Sequence, residues 1–178
     1  MKIILVLLIG WSGFLFLNHQ KEYVCLPCGR ECDGQVYHKS GTCSSCNMNL
    51  VEKSTVNFAN VSVEDMCKRI GVNSDAIILD VRSKGEFSGS TTDVQTFGHF
   101  KNAINVNVTE LEKRVKELEK YKGKEIFVYC SHAHRSATAS YFLSTHGFEN
   151  VKNMTGGVSI IDPQNNECLK KSFVAHKD

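Results

Sequence analysis

The sequence predicts an α/β protein, a parallel sheet flanked by helices, with a small cysteine-rich module and an N-terminal hydrophobic segment in front of it. Three observations carry this reading. From residue 56 onward, short apolar runs alternate with segments of helical period, the order that builds a parallel sheet covered on both faces. Five of the eight cysteines fall between residues 25 and 46, in a stretch too poor in apolar side chains to hold a core of its own. An uncharged apolar stretch, residues 3–17, follows Lys2.

The elements follow in order. Residues 1–20 read as a signal peptide or membrane anchor. At 1.5 Å per residue the apolar stretch extends only about 22 Å, short of a ~30 Å hydrocarbon core. No small-x-small pair follows it, so cleavage and retention both stay open. Either fate places the remaining chain outside the cytoplasm, periplasmic or secreted, with membrane association through residues 3–17 if the segment is kept. Residues 21–54 form the cysteine-rich module, and residues 56–164 the main domain. Within that domain, residues 56–61 read as a short strand. Ser62 and Asp65 cap a helix that ends before Gly71. Residues 76–79 are a continuous apolar run, as in a buried parallel strand. Residues 87–97 are polar and read as a surface loop, and 103–108 as a strand. Leu111, Val115 and Leu118 recur at helical spacing across 110–121. A strand ending at residue 129, a helix from 136 to about 146 and a strand near Val151 complete the pattern. Residues 165–178 are charged and read as a loose tail.

Composition sets bounds on function. With 178 residues, 42% hydrophobic and 22% charged, the chain is ordinary globular material, one main domain with appendages. A net charge of +2 gives no argument for a nucleic-acid partner.

Cys130 is the residue that carries chemistry. The apolar run 126–129 stops at it, and a helical pattern begins a few residues later. In that position the backbone N–H groups of the following turn can surround the sulfur, and the helix dipole and the Arg135 cation favour the thiolate. A strand's carboxyl end is also where open α/β sheets place their sites.

The segments around this cysteine resemble rhodanese-like sulfurtransferases. CSHAHRS is similar to their six-residue active-site loop, in which Cys and Arg are separated by four residues. ILDVRSKGEF, GHFKNAINVNV and GFENVKNMTGGV are similar to other segments of the family, in the family's order across residues 56–162. Phosphatases with a Cys-x5-Arg loop have one residue more. The resemblance implies that Cys130 is the nucleophile, carrying sulfane sulfur as a persulfide between a small-molecule donor such as thiosulfate or polysulfide and a thiol or cyanide acceptor, a protein thiol included. It implies that Ser131, His132, Ala133, His134, Arg135 and Ser136 bind substrate, and that sulfur transfer needs no cofactor. Arg135 has two readings, a cation that orients thiosulfate or one that ties the loop to an acid such as Glu86. His132 and His134 are either substrate contacts or solvated loop side chains. Ala133 stands where the family often has glycine, so a positive φ there implies strain. Asp80 and His99 read as loop-holding residues.

The module has its own motif. Cys25-x2-Cys28 and Cys43-x2-Cys46 are separated by fourteen residues, a spacing suited to four thiolates around zinc or another thiophilic metal. SGTCSSCNMNLVEK also resembles a heavy-metal-binding module, with Asn47 at a glycine position. Disulfides are the alternative, which an exported chain allows. Cys32 is left over, Cys67 reads as buried in a helix, and Cys168 as a free thiol or a resolving partner for Cys130. The rival to an enzyme is a rhodanese-like docking module serving metal handling by the cysteine-rich part.

Overall fold

The computed structural model describes residues 20–176. The apolar segment 3–17 lies outside the described residues. Among the described residues, no helix is long and apolar enough to cross a membrane.

The N-terminal module is a three-stranded sheet in which β1 (Tyr23–Val24) lies between β2 (Val36–Tyr37) and β3 (Val51–Glu52), antiparallel to both. β4 (Ala59–Val61) then leads into α1 (Val63–Val72), where the Ser62 side chain accepts the Asp65 N–H as expected. The helix continues through Gly71, two residues beyond the expected end. An exposed helical glycine costs only about 1 kcal/mol, and the Asn73 N–H still closes onto the Arg69 carbonyl. β5 (Ile77–Asp80) precedes α2 (Lys84–Ser88), which Ser83 and Glu86 open with a reciprocal capping box. β6 (His99–Phe100), β7 (Ile104–Asn105) and α3 (Leu111–Leu118) follow. β8 (Glu125–Tyr129), α4 (His134–Thr145) and β9 (Asn150–Met154) form one parallel βαβ unit.

The main sheet runs β4-β9-β8-β5-β7 with every neighbouring pair parallel. β8 is its centre, and the two-residue period of a strand sorts its side chains. Ile126, Val128 and Cys130 join Leu111 and Leu118 of α3 and Ala139 and Leu143 of α4 in one core. Phe127 and Tyr129 join Val63, Met66 and Cys67 of α1 in the other. Burial on both faces explains why β8 reads as an unbroken apolar run.

The C-terminal segment corrects the expectation of a loose tail. α5 (Glu167–Ser172) packs against α1 through Leu169, and β10 (Phe173–Val174) pairs antiparallel with β6, Phe173 opposite Phe100. The surface lysines and glutamate of α5 mask the buried Leu169, and Phe173 of β10 follows directly after them. Cys168 is bonded to Cys67 as a disulfide spanning 101 residues. It therefore sits on the α1 side of the sheet, away from the face that holds Cys130, and is not that residue's resolving thiol. Closing a loop of this length restricts the unfolded chain by roughly 4–5 kcal/mol in the chain-entropy account. The Cys67→Ser/Cys168→Ser variant is expected to lose about that much stability in urea unfolding. A midpoint equal to that of the oxidised protein would show that the bond constrains nothing.

Candidate active site

Cys130 follows β8 directly, is a free thiol and is 1% exposed. Its carbonyl accepts the Val158 N–H at 2.9 Å, and the Ser131 carbonyl accepts the Ser159 N–H at 3.0 Å. Gly157, at φ 68°, makes this close approach possible, because a Cβ there would collide with both carbonyls. The Gly-Gly turn after β9 thus braces the cysteine loop from beneath.

The loop then turns into α4. Among the described residues, the amide N–H groups of Ser131, His132, Ala133, His134, Arg135 and Ser136 have no protein acceptor, and the first bond of the new helix runs from the Ala137 N–H to the Ala133 carbonyl at 2.9 Å. Six free amides at the positive end of a twelve-residue helix are a ready site for an anion. Ala133, the N-cap, takes φ 68° and ψ −13°. A left-handed alanine costs roughly 1–2 kcal/mol, and glycine returns about 0.4–1 kcal/mol of that as unfolded-state entropy. Ala133→Gly is therefore expected to leave stability unchanged or raise it by up to about 1.5 kcal/mol. A loss of 1 kcal/mol or more by thermal unfolding would overturn the strain.

Arg135 makes the contact that the second of its two readings expects. Its guanidinium forks onto Glu86, Nη1 to Oε2 at 2.8 Å and Nη2 to Oε1 at 2.7 Å, and Nη2 also reaches the Ser131 hydroxyl at 3.1 Å. Glu86 accepts the Ser131 hydroxyl at 3.1 Å and the Ser83 N–H at 3.0 Å. Burial opposes the charge on Glu86, but the Arg135 fork and the Ser83 N–H outweigh it and bring the carboxyl down to about 2. Arg135 is raised in turn, first by Glu86 and, less strongly, by the Cys130 sulfur. Glu86 is the group that holds cradle, cation and α2 together. The sequence names Glu86 only as one of two alternatives for Arg135; its capping box with Ser83 emerges from the structure.

His132 is exposed and meets the Phe97 ring edge-on at 6.0 Å between centroids. His134 is half-buried and its Nε2 has no partner among the described residues. Burial, then the charge of Arg30, lowers its pKa. His99 and His176 share a 3.2 Å contact, and burial lowers both. A histidine held below its unfolded value of about 6.5 stays neutral in the fold while the unfolded chain takes up the proton. Its contribution is complete above that value and is lost as pH falls. Glu86 acts in a lower window, complete above its unfolded value of 4.5 and lost as pH falls toward about 2. Unfolding free energy is thus expected to decline in two stages, the first beginning below about pH 6.5. Equal stability at pH 7.5 and 5 would contradict the histidine stage.

Beneath the loop, Asp80 and Arg82 are both fully buried and bridged at 2.6 Å. Arg82 also donates to the carbonyls of Thr96 at 2.9 Å and Gly98 at 2.7 Å. Asp80 is therefore a holding residue, and the end of the loop expected at 87–97 is pinned rather than loose.

The cysteine-rich module differs from its expected ligand set. The sulfurs of Cys25, Cys32, Cys43 and Cys46 lie within 4.8 Å of one another, and all four are free thiols. Cys28 is outside this group. Its amide and sulfur face the Asp33 carboxylate, at 3.0 and 3.8 Å, and burial followed by that carboxylate pushes the thiol up to about 11. Sequence spacing favoured Cys28 because paired Cys-x2-Cys knuckles are common metal sites, whereas the chain here needs six intervening residues to return its second sulfur. Burial raises Cys43, but the N–H groups of Ser45 and Cys46 outweigh it and bring the thiol down to about 6. Burial pushes Cys32 up to about 12.

Comparison with known proteins agrees with this geometry. The family description "Rhodanese-like domain" matches residues 62–161, more than half of the chain. A tRNA uridine(34) hydroxylase from Cytophaga hutchinsonii is 36% identical over 87 residues, covering 47% of this chain and 25% of that protein. The enzyme of the same name from Pectobacterium carotovorum is 29% identical over 115 residues, covering 61% of this chain and 30% of its own. The chain spans about a quarter of the length of such curated relatives. Among solved structures, reduced CoADR-RHD from Bacillus anthracis superposes with a TM-score of 0.50 at 23% identity, covering 66% of this chain and 18% of that one, a likeness of fold.

Proposed function

The chain belongs to the rhodanese-like domain family, and from that premise we propose that it transfers sulfane sulfur through a persulfide on Cys130. The observation that carries this reading is the free Cys130 thiol at the head of six unpaired amides and a helix N-terminus, with the Arg135 cation clamped alongside. The thiolate attacks the outer sulfur of thiosulfate, forming the Cys130 S–S bond as sulfite leaves with the electron pair. Cyanide or a thiolate then attacks that outer sulfur, and the Cys130 thiolate leaves. The two steps balance without an added oxidant or cofactor. Free amides suit the negative charge on the outer sulfur. Incubation with thiosulfate is expected to add one sulfur mass to the chain, removable by cyanide. A mass that stays unchanged with thiosulfate and polysulfide alike would favour the docking reading.

The tRNA-acting relatives share only this domain's portion of their length, so their name supports a rhodanese-like enzyme here rather than a tRNA substrate. The cysteine-rich module is proposed to hold zinc or a similar thiophilic metal, which the convergence of four sulfurs supports. An oxidising, extracytoplasmic location is proposed as well. The Cys67–Cys168 disulfide supports it.

A further inference from the structure

The two ends of one short strap meet in the cysteine cluster. Cys25 and Cys32 both belong to it, and the residues between them lie against the Cys130 loop. Leu26 and Cys28 pack with Ala133 and Ala137, the residues at the N-cap and first turn of α4. The Pro27 carbonyl accepts from Asn153 of β9 at 3.3 Å. Gly29, at φ 88°, sits so close to Thr155 that a Cβ would come within 2.9 Å of that side chain. Asp33 gathers the strap by accepting the N–H groups of Cys28 at 3.0 Å and Gly29 at 2.6 Å, and Asn60 of β4 reaches it at 3.5 Å. The strap therefore fits closely onto the back of the anion cradle. Its ends, by contrast, converge on a cluster whose buried members are Cys25, Cys32 and Cys43 themselves, edged by Cys46, Met48 and Leu50.

We propose that one thiophilic metal ion, held by Cys25, Cys32, Cys43 and Cys46, pins both ends of the strap 26–31 and so clamps it onto the loop that follows Cys130. This rests on the metal-binding reading of the module and adds to it the ligand identity and the mechanical role. Four thiolates at about 2.3 Å from zinc stand about 3.8 Å apart, between the 3.2 Å that separates the Cys25 and Cys46 sulfurs and the 4.8 Å within which all four lie. Cys32 replaces Cys28 as ligand because Cys28 is committed to the cradle side, between Ala137 and Asp33. In the clamped state the amides of 131–136 keep a fixed backing. Without metal, four cysteines supply too little apolar area to hold the strap's ends.

The test uses the full chain with zinc and a chelator, under reducing conditions mild enough to keep the Cys67–Cys168 bond. Native mass spectrometry is expected to show one zinc per chain in wild type and in Cys28→Ser, with affinity reduced at least 100-fold in Cys32→Ser and Cys43→Ser. Hydrogen exchange is expected to accelerate at least 10-fold in peptides covering 26–31 and 131–137 when zinc is removed, while β8 and β9 keep their protection and report that the sheet stays folded. Absence of zinc binding in wild type would sink the metal reading and the clamp together. Zinc lost from Cys28→Ser but kept by Cys32→Ser would overturn the ligand set. Zinc bound by the assigned ligands with unchanged exchange in 131–137 would overturn the clamp alone and leave the metal reading standing.

Discussion

Replacing Cys130 by serine is expected to abolish sulfur transfer, a loss of roughly 10³-fold or more in a thiosulfate–cyanide assay, because an un-ionised hydroxyl supplies neither the nucleophile nor the leaving group of the two steps. The fold is expected to survive. Serine is close to cysteine in volume, and Cys130 lies at the end of β8 in the same large buried cluster as Leu79, Val128 and Leu143, so the added polarity costs about 1–3 kcal/mol at most. The informative measurement is mass rather than rate alone. The chain carries five other free thiols, Cys25, Cys28, Cys32, Cys43 and Cys46, and a sulfur mass that persists in Cys130→Ser would place the persulfide in the module instead. Arg135→Lys separates charge from geometry. Lysine keeps the cation but cannot fork onto both Glu86 oxygens, so a partial loss of activity would assign the residue to loop positioning. An intact rate would show that the Glu86 clamp is dispensable.

The parts of this site that sequence reveals are those written in local patterns. The unbroken apolar run of β8 follows from burial on both faces, and its stop at Cys130 marks the strand's carboxyl end without any knowledge of neighbours. The positive φ at Ala133 was anticipated only as a condition, since alanine gives no local signal of a left-handed turn. What sequence missed depends on separation along the chain. The Cys67–Cys168 bond joins residues 101 apart, and the buried anchors Leu169 of α5 and Phe173 of β10 are hidden among charges. The set of cysteines that converge differs from the set expected from spacing for a related reason. A regular Cys-x2-Cys spacing competes with the packing demands of the strap, and only the placement of Cys28 in one buried cluster with Leu26, Ala133 and Ala137 shows which demand wins in this fold.

Arg82→Leu is expected to be the most destabilising single change in the main domain. The guanidinium is fully buried and spends its donors on three acceptors: Nε to Asp80 Oδ1 at 3.0 Å and Oδ2 at 3.1 Å, Nη2 to Asp80 Oδ2 at 2.6 Å and to the Gly98 carbonyl at 2.7 Å, and Nη1 to the Thr96 carbonyl at 2.9 Å. Removing it strips the Asp80 carboxylate of every guanidinium donor, leaving it the residue-82 N–H at 2.9 Å, and takes one donor each from the Thr96 and Gly98 carbonyls, the first of which keeps the Gly98 N–H. Breaking a buried pair from one side costs about 3–5 kcal/mol, a large share of the roughly 5–15 kcal/mol that a domain has. For a chain of this size that corresponds to a fall in Tm of about 10 °C. The damage should also spread in a set direction. Residues 96–98 lead into β6, and β6 carries β10, so loss of the anchor should raise hydrogen exchange in 97–100 and 173–174 before it touches β8 or β9. Asp80→Asn combined with Arg82→Leu removes the stranded charge and is expected to be more stable than Arg82→Leu alone. That order separates an electrostatic cost from simple loss of packing. If Arg82→Leu unfolds within about 1 kcal/mol of wild type, or if the double variant is the weaker of the two, the buried pair is not what holds this loop against the end of β5.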